Sequence, residues 1–407
     1  EIGACDWSSD VCSSDLLLAV AGLVSAAVLS GCGADEPDVV LYVSADEVFA
    51  REVVAAFEEE TGLDVGFVGD SEAKKTTGLV ERLRAEADNP QADVFWSSEV
   101  FLTIALAQEG VLEPYRSDGA DAWPEEHRDP ERGWYGFAAR ARVIAFYPER
   151  VSEDEIPVAW TDLAQRRYAG RIAMADPRFG TTGGHLAAMK VYWDRHAMPG
   201  FYEAWLQGLR DNRTTMLPSG NAGAVEAVAR GEADFAMTDT DDVWSARRAG
   251  ASIDLVYPDH LHEEQPGNGT LLIPNTVARV AGGPNPEAAA QLIDFLLSER
   301  VERILAESTS HNIPVRASVA AEYPEYAVED PMDVSFARAA AAYDEAVRMA
   351  VEILGQEPVE MPDEPDDDRW RPGMDRGEVE DEEDMASPDP SGAPPVASSN
   401  DPGGESG

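Results

Sequence analysis

Three carboxylates, Asp239, Asp241 and Asp242, fall within four residues at the junction of an expected strand and helix. Acids in a first helical turn are favoured by the helix dipole, so capping alone accounts for them. Three at a strand end that faces a cleft also suit a metal ion or an amine. A second candidate is the run Asp176-Pro177-Arg178-Phe179-Gly180-Thr181-Thr182-Gly183-Gly184-His185. Its glycines would let backbone approach a ligand, and helix-start N–H groups with the Thr181 and Thr182 hydroxyls would hold an anion. The bland reading is that Thr182 merely caps the next helix. The run lacks the Lys-Ser/Thr ending of a P-loop, so nucleotide hydrolysis is unsupported.

Ligands of open parallel sheets bind beyond the carboxyl ends of the strands. Other small or polar junctions therefore join the list: Ser44-Ala45-Asp46, Ser97-Ser98-Glu99 and Ser219-Gly220-Asn221. The candidate ligand-binding set is Ser44, Ser97, Ser98, Gly180, Thr181, Thr182, Asn221, Asp239, Asp241 and Asp242, with the three aspartates also the candidate metal ligands. In Asp259-His260-Leu261-His262-Glu263-Glu264, residues two apart share a face if the segment is extended. His260 and His262 could then reach one metal, unless the segment is simply a solvated loop. Trp96, Trp134, Tyr135, Trp244 and Tyr257 lie near the junctions as ligand walls or as ordinary core. No Ser-His-Asp, Cys-His or paired-carboxylate spacing specifies a catalytic residue, so an enzyme is not expected.

The elements that must position these residues alternate. Residues 39–44, 63–68 and 92–96 read as strands, and 47–60, 72–87 and 99–109 as helices. That order predicts an α/β fold built on parallel sheets flanked by helices. A charged, Pro-containing stretch at 114–132 interrupts it, and 134–147 reads as a long extended crossing. Strands at 171–175, 233–238 and 252–257 follow, with helices at 184–196, 201–209, 222–230 and 242–249. A second extended segment at 271–280 precedes one long helix at 286–306, and a last helix covers 334–354.

The 407 residues suffice for two domains, and a 44% hydrophobic fraction allows a large core. Lys and Arg number 31 against 78 Asp and Glu, a formal charge of −47 that repels phosphate backbones and excludes nucleic-acid binding. All cysteines lie at 5, 12 and 32, which leaves no disulfide or thiolate site for the body. Residues 16–30 form an apolar run too short to span a bilayer comfortably, and Leu29-Ser30-Gly31-Cys32 resembles a bacterial lipobox. Cys32 would then carry a lipid that tethers the protein to a membrane. Residues 1–15 contain no Lys or Arg, resemble translated adapter sequence, and are set aside. From residue 356 the chain is dominated by Pro, Asp, Glu, Ser and Gly, and an acidic disordered tail is expected over 356–407.

Several motifs in order resemble the periplasmic binding proteins of ABC importers, in the cluster that includes the ferric-iron-binding proteins. They are Leu41-Tyr42-Val43-Ser44, Phe57-Glu58-Glu59-Glu60-Thr61-Gly62, Gln91-Ala92-Asp93-Val94, Gly180-Thr181-Thr182 and Thr238-Asp239-Thr240-Asp241-Asp242. Ile273-Pro274-Asn275-Thr276-Val277-Ala278 and Asn285-Pro286-Glu287-Ala288-Ala289 with Leu296-Leu297-Ser298 complete the set, which spans 39–305. The resemblance implies two lobes, 39–134 with 271–320 and 135–270, closing on a ligand over a hinge near Trp134 and Leu271. A helical segment at 321–355 would follow. It also implies a monomer that hands a small molecule or ion to a membrane permease, with no cofactor, Fe(III) being cargo where it binds. Ferric members hold iron with adjacent tyrosines roughly where Asp239–Asp242 stand here. Without those tyrosines, a carboxylate iron site, an iron chelate, or an organic ligand with amine and phosphate or carboxylate groups all stay open. The alternatives from other classes are a secreted metal-dependent hydrolase and a surface scaffold or adhesin acting through its acidic tail.

Overall fold

A computed structural model describes residues 36–357 except 70–76, 118, 120–122, 198 and 263–264. The lipobox with Cys32, the apolar run before it, nearly all of the acidic tail, the start of the 72–87 helix, Glu263 and Glu264 lie outside the described residues.

The first half begins with β1 (Val39–Val43), α1 (Glu47–Thr61), β2 (Val65–Gly69), α2 (Thr77–Ala85), β3 (Val94–Ser97) and α3 (Phe101–Gln108). Gly62 ends α1 in the left-handed conformation that glycine adopts without penalty, its N–H reaching the Glu58 carbonyl. A two-residue strand, β4 (Leu112–Glu113), leads to β5 (Tyr135–Phe146), all twelve residues of which are buried. Then come β6 (Ile172–Ala175), α4 (Gly180–His196), α5 (Phe201–Asp211), β7 (Thr215–Leu217), α6 (Gly220–Arg230), β8 (Phe235–Asp239), α7 (Thr240–Arg248) and β9 (Asp254–Val256). The chain returns through β10 (Leu272–Val280) and finishes with α8 (Pro286–Leu296), α9 (Glu299–Glu307), the short α10 (Ala317–Ala320) and α11 (Phe336–Leu354).

The strands join in the order β2-β1-β3-β10-β5-β8-β6-β7, with β4 on β10 and β9 on β5. β1, β2 and β3 are mutually parallel, as are β6, β7 and β8. The two long extended segments run antiparallel to their neighbours and make the sheet mixed. β5 pairs with β10 through its first half and with β8 and β9 through its second, so it links the two parallel sets.

Three expectations need correction. The 286–306 helix is two helices, because Ser298 is extended and its Oγ accepts the Val301 N–H at 3.3 Å as an N-cap. β4 and β7 were too short to leave a pattern. The glycine-rich run is not a loop: α4 starts at Gly180, and two of its glycines serve helix packing. A Cβ on Gly184 would lie 2.1 Å from the Phe101 ring, and one on Gly183 would lie 2.5 Å from the Tyr343 hydroxyl. α4 therefore seats directly against α3 and α11, and α11 also packs on α5.

Phe101 is buried and its ring stands edge-on to Phe336 at 5.8 Å, so it has no space to move into. Gly184→Ala is expected to lower unfolding free energy by about 1–3 kcal/mol through overpacking, although alanine is the better helix former by about 1 kcal/mol. Denaturant unfolding checks this; a variant as stable as the parent would mean that α4 shifts without cost.

Candidate functional site

The carboxyl ends of β1, β3, β6 and β8 and the starts of α4, α6 and α7 surround a cavity of about 70 Å³. Its wall contains Ser44, Asp46, Ser98, Arg140, Phe179, Gly180, Thr181, Ser219, Asn221, Asp239, Asp241 and Asp242. A volume equivalent to a few water molecules suits an ion with its hydration or a small polar group.

At one side, Ser44 ends β1, and its Oγ accepts the Ser98 N–H at 2.9 Å, locking two strand ends together. Behind them Glu99 is buried, its carboxylate accepting the N–H groups of Phe101 at 2.6 Å and Leu102 at 3.1 Å as it caps α3. Burial pushes Glu99 up to about 7, against the pull of those N–H groups. Ser97 turns to this junction, its Oγ accepting the Glu99 N–H at 3.2 Å, and it is not in the cavity wall.

At the other side, Asp239 ends β8 and precedes α7. One oxygen accepts Arg142 Nη1 at 2.6 Å; the other accepts the Thr181 hydroxyl at 2.7 Å and Asn221 Nδ2 at 2.8 Å. The Thr182 hydroxyl donates to Asn221 Oδ1 at 3.0 Å, so Thr182 orients Asn221 and does not line the cavity. Asp241 faces Arg140, with Oδ2 3.4 Å from Nη1, and Asp242 accepts the Thr238 hydroxyl at 3.2 Å. Ligand atoms of the three aspartates lie within 4.8 Å of one another.

Arg140 was missed at the sequence level. It is buried, and its Nη2 donates to Asn275 Oδ1 at 3.2 Å, while its Nε has no hydrogen-bond partner among the described residues. Burial opposes its charge, yet Asp241, Asp239, Asp46 and Asp242 hold the guanidinium charged, above its usual value. The signal lay in the sequence Ala-Ala-Arg-Ala-Arg-Val at 138–143: two arginines, spaced to share a face, inside an apolar strand.

The histidine expectation is overturned on both readings. His260 is fully buried, its Nδ1 2.8 Å from the Gly269 carbonyl and its Nε2 3.3 Å from His185 Nε2. His262 turns elsewhere, its Nε2 2.7 Å from Asp162, so the pair neither shares a metal nor forms a solvated loop. The aromatic candidates are absent from the wall, whose one aromatic among the described residues is Phe179. Trp96, Trp134 and Tyr135 are core, Trp244 packs on His311, and Tyr257 is exposed.

Two predictions follow from burial. Asp239→Asn leaves the buried Arg142 charge without its carboxylate and is expected to cost about 3–5 kcal/mol in denaturant unfolding. Glu99 retains its proton in the folded chain up to about 7, against 4.5 for the ordinary group. Its contribution is fully present below pH 4.5 and is lost as pH rises through 7, about 3 kcal/mol over that window. Stability against pH should therefore fall less steeply there in Glu99→Gln; parallel curves would show that Glu99 ionises normally.

Comparison with known proteins accords with this architecture. Residues 89–337 match the family described as bacterial extracellular solute-binding protein. Iron uptake protein A1 of Synechocystis sp. is 27% identical over 317 residues, 73% of this chain and 84% of that protein. A putative 2-aminoethylphosphonate-binding periplasmic protein of Salmonella paratyphi A is 26% identical over 265 residues, 65% of this chain and 73% of that one. Iron-bound HitA from Pseudomonas aeruginosa shares the two-lobed fold at a TM-score of 0.66 and 24% identity, over 77% of this chain and 98% of HitA. The chain belongs to the bacterial extracellular solute-binding proteins, and it is a binding protein rather than an enzyme.

Proposed function

We propose that this chain captures a small zwitterionic solute, anionic at one end and cationic at the other, and delivers it to the membrane permease of an ABC importer. The observation that carries the reading is the placement of buried Arg140 opposite Asp241, with Asp242 beside it, in one cavity of about 70 Å³. A guanidinium and carboxylates that close together complement a dipolar ligand. Phosphonate, phosphate or carboxylate would sit on Arg140, with the Ser44 and Ser98 side and the backbone N–H groups at the start of α4 adding donors. An amine would sit on Asp241 and Asp242. Asp239 is the frame of the site, since Arg142, Thr181 and Asn221 already occupy its oxygens.

The wall draws on both chain halves, which supports assigning 39–134 with 271–320 to one lobe and 135–270 to the other. α11, packed on α3 as well as α4 and α5, would span their backs. Closure of two such lobes expels water and strengthens each polar contact. The apolar run ending in Gly31-Cys32 supports a lipid tether at Cys32 for a monomeric receptor.

A second reading, ferric iron, is favoured by the aspartate cluster and by the iron uptake relative. Iron would then use carboxylates, with an anion on Arg140, because the described wall contains no tyrosine. Calorimetry with 2-aminoethylphosphonate and with ferric citrate separates the two. Under the first reading the phosphonate binds, and Arg140→Met weakens it at least about a hundredfold, the scale of a buried charge-assisted contact. Binding of ferric citrate alone, abolished by Asp241→Asn, would replace that reading with the second.

A further inference from the structure

Asp46, Ala222 and Asp242 belong to the wall of the small cavity. The same three residues also line a groove of about 730 Å³ between the start of α1 and the outer faces of α6 and α7. Its surface is mostly apolar: Val225 is buried at the floor, and Ala229, Ala246 and Val48 form the sides. Val48 is 75% exposed in the first turn of α1, while its neighbours Phe49 and Ala50 are buried. The charged groups at the rim are already engaged. Glu47 pairs with Arg51 at 2.6 Å, Glu226 with Arg230 at 2.9 Å, and Arg248 with His311 at 2.7 Å. What the groove offers an occupant is therefore mostly methyl surface, adjoining the polar cavity at two carboxylates.

We propose that the solute is amphipathic: anionic head and amine in the small cavity, and an aliphatic chain running past Asp46 and Asp242 into the groove. This rests on the zwitterion reading of the cavity. The three lining residues that the two spaces share select the occupant, since a chain attached to the amine leaves the head beside Asp242, where the spaces adjoin. Apolar area removed from water along Val48, Ala229 and Ala246 would supply affinity that the small cavity cannot. It would also set a preference for substituted over unsubstituted amines.

The test compares 2-aminoethylphosphonate with its N-hexyl derivative on the full chain by calorimetry. The hexyl probe is expected to bind at least about tenfold tighter, a fraction of what its methylenes gain on full burial. Ala246→Trp, which fills the groove, should remove that gain and leave the parent probe unchanged, and Val48→Asn should reduce it. Binding of the parent probe reports that each variant is folded. Equal affinities for the two probes, indifferent to Ala246→Trp, would overturn the proposal while the zwitterion reading stands. Failure of both probes on a chain folded by circular dichroism would remove the zwitterion reading and this one with it. Loss of uptake in cells with unchanged affinities in Ala246→Trp would make the groove a permease contact instead, and overturn the proposal.

Discussion

The cleft depends on one ion pair, Arg142 with Asp239, which is closed to solvent and 2.6 Å across. Such a pair contributes little net stability, because desolvating both charges offsets most of their attraction. Its consequence is geometric. Arg142 lies on β5, Asp239 on β8, and the free carboxylate oxygen draws in Thr181 from α4 and Asn221 from α6. Two strands and two helix starts are thus registered by a single carboxylate. The other side of the guanidinium is equally constrained: Arg142 Nε donates to His185 Nδ1 at 3.3 Å. His185 must then carry its proton on Nε2 and donate to His260, which carries its own on Nδ1 and donates to Gly269. Burial first, and then Arg142 and His260, hold His185 well below its usual range, so it stays a neutral acceptor.

Arg140 has a different support. The pairing of β5 with β10 shifts between Pro274 and Asn275, and Ala138 takes a positive φ of 43° at the irregularity. A bulge of this kind re-aims the residues that follow it. Glu302 of α9 holds the bulge by accepting the Ala138 N–H at 3.3 Å, together with those of Val315 at 3.0 Å and Arg316 at 3.1 Å. Asn275 completes it, donating to the Ala138 carbonyl while accepting from Arg140. A buried acid on a distant helix thereby fixes Arg140, the one cation among the described residues of the cavity wall.

Much of this was legible before any coordinates. The alternation of strands and helices, the long crossings that became β5 and β10, and the strand-end position of Ser44, Ser98, Thr181, Asn221, Asp241 and Asp242 follow from periodicity and from where sheets bind ligands. What stayed hidden was long-range. Gly183 and Gly184 look like a ligand loop until Phe101 and Tyr343, far away in sequence, are seen to need the space. Likewise Thr182, Ser97 and Asp239 have the right chemistry for a ligand, but their neighbours claim their polar atoms. His260 has the composition of a surface metal loop, yet sits in the core because His185 and two backbone carbonyls satisfy its nitrogens.

The charge of the whole chain bears on what the cavity can select. A formal −47 repels a bare anion at distances up to a Debye length, about 8 Å at physiological salt, and draws cations inward. A cation arriving alone meets Arg140 inside the wall, where burial leaves its charge poorly screened. An anion arriving alone meets the repulsion outside and then Asp46, Asp241 and Asp242 within. Under the zwitterion reading proposed above, a dipolar solute of zero net charge would meet neither barrier, and each of its ends would find an opposite partner across the cavity. The acidic surface and the Arg140 guanidinium would therefore act as successive filters, and the species that passes both most readily would carry its two charges on one small molecule.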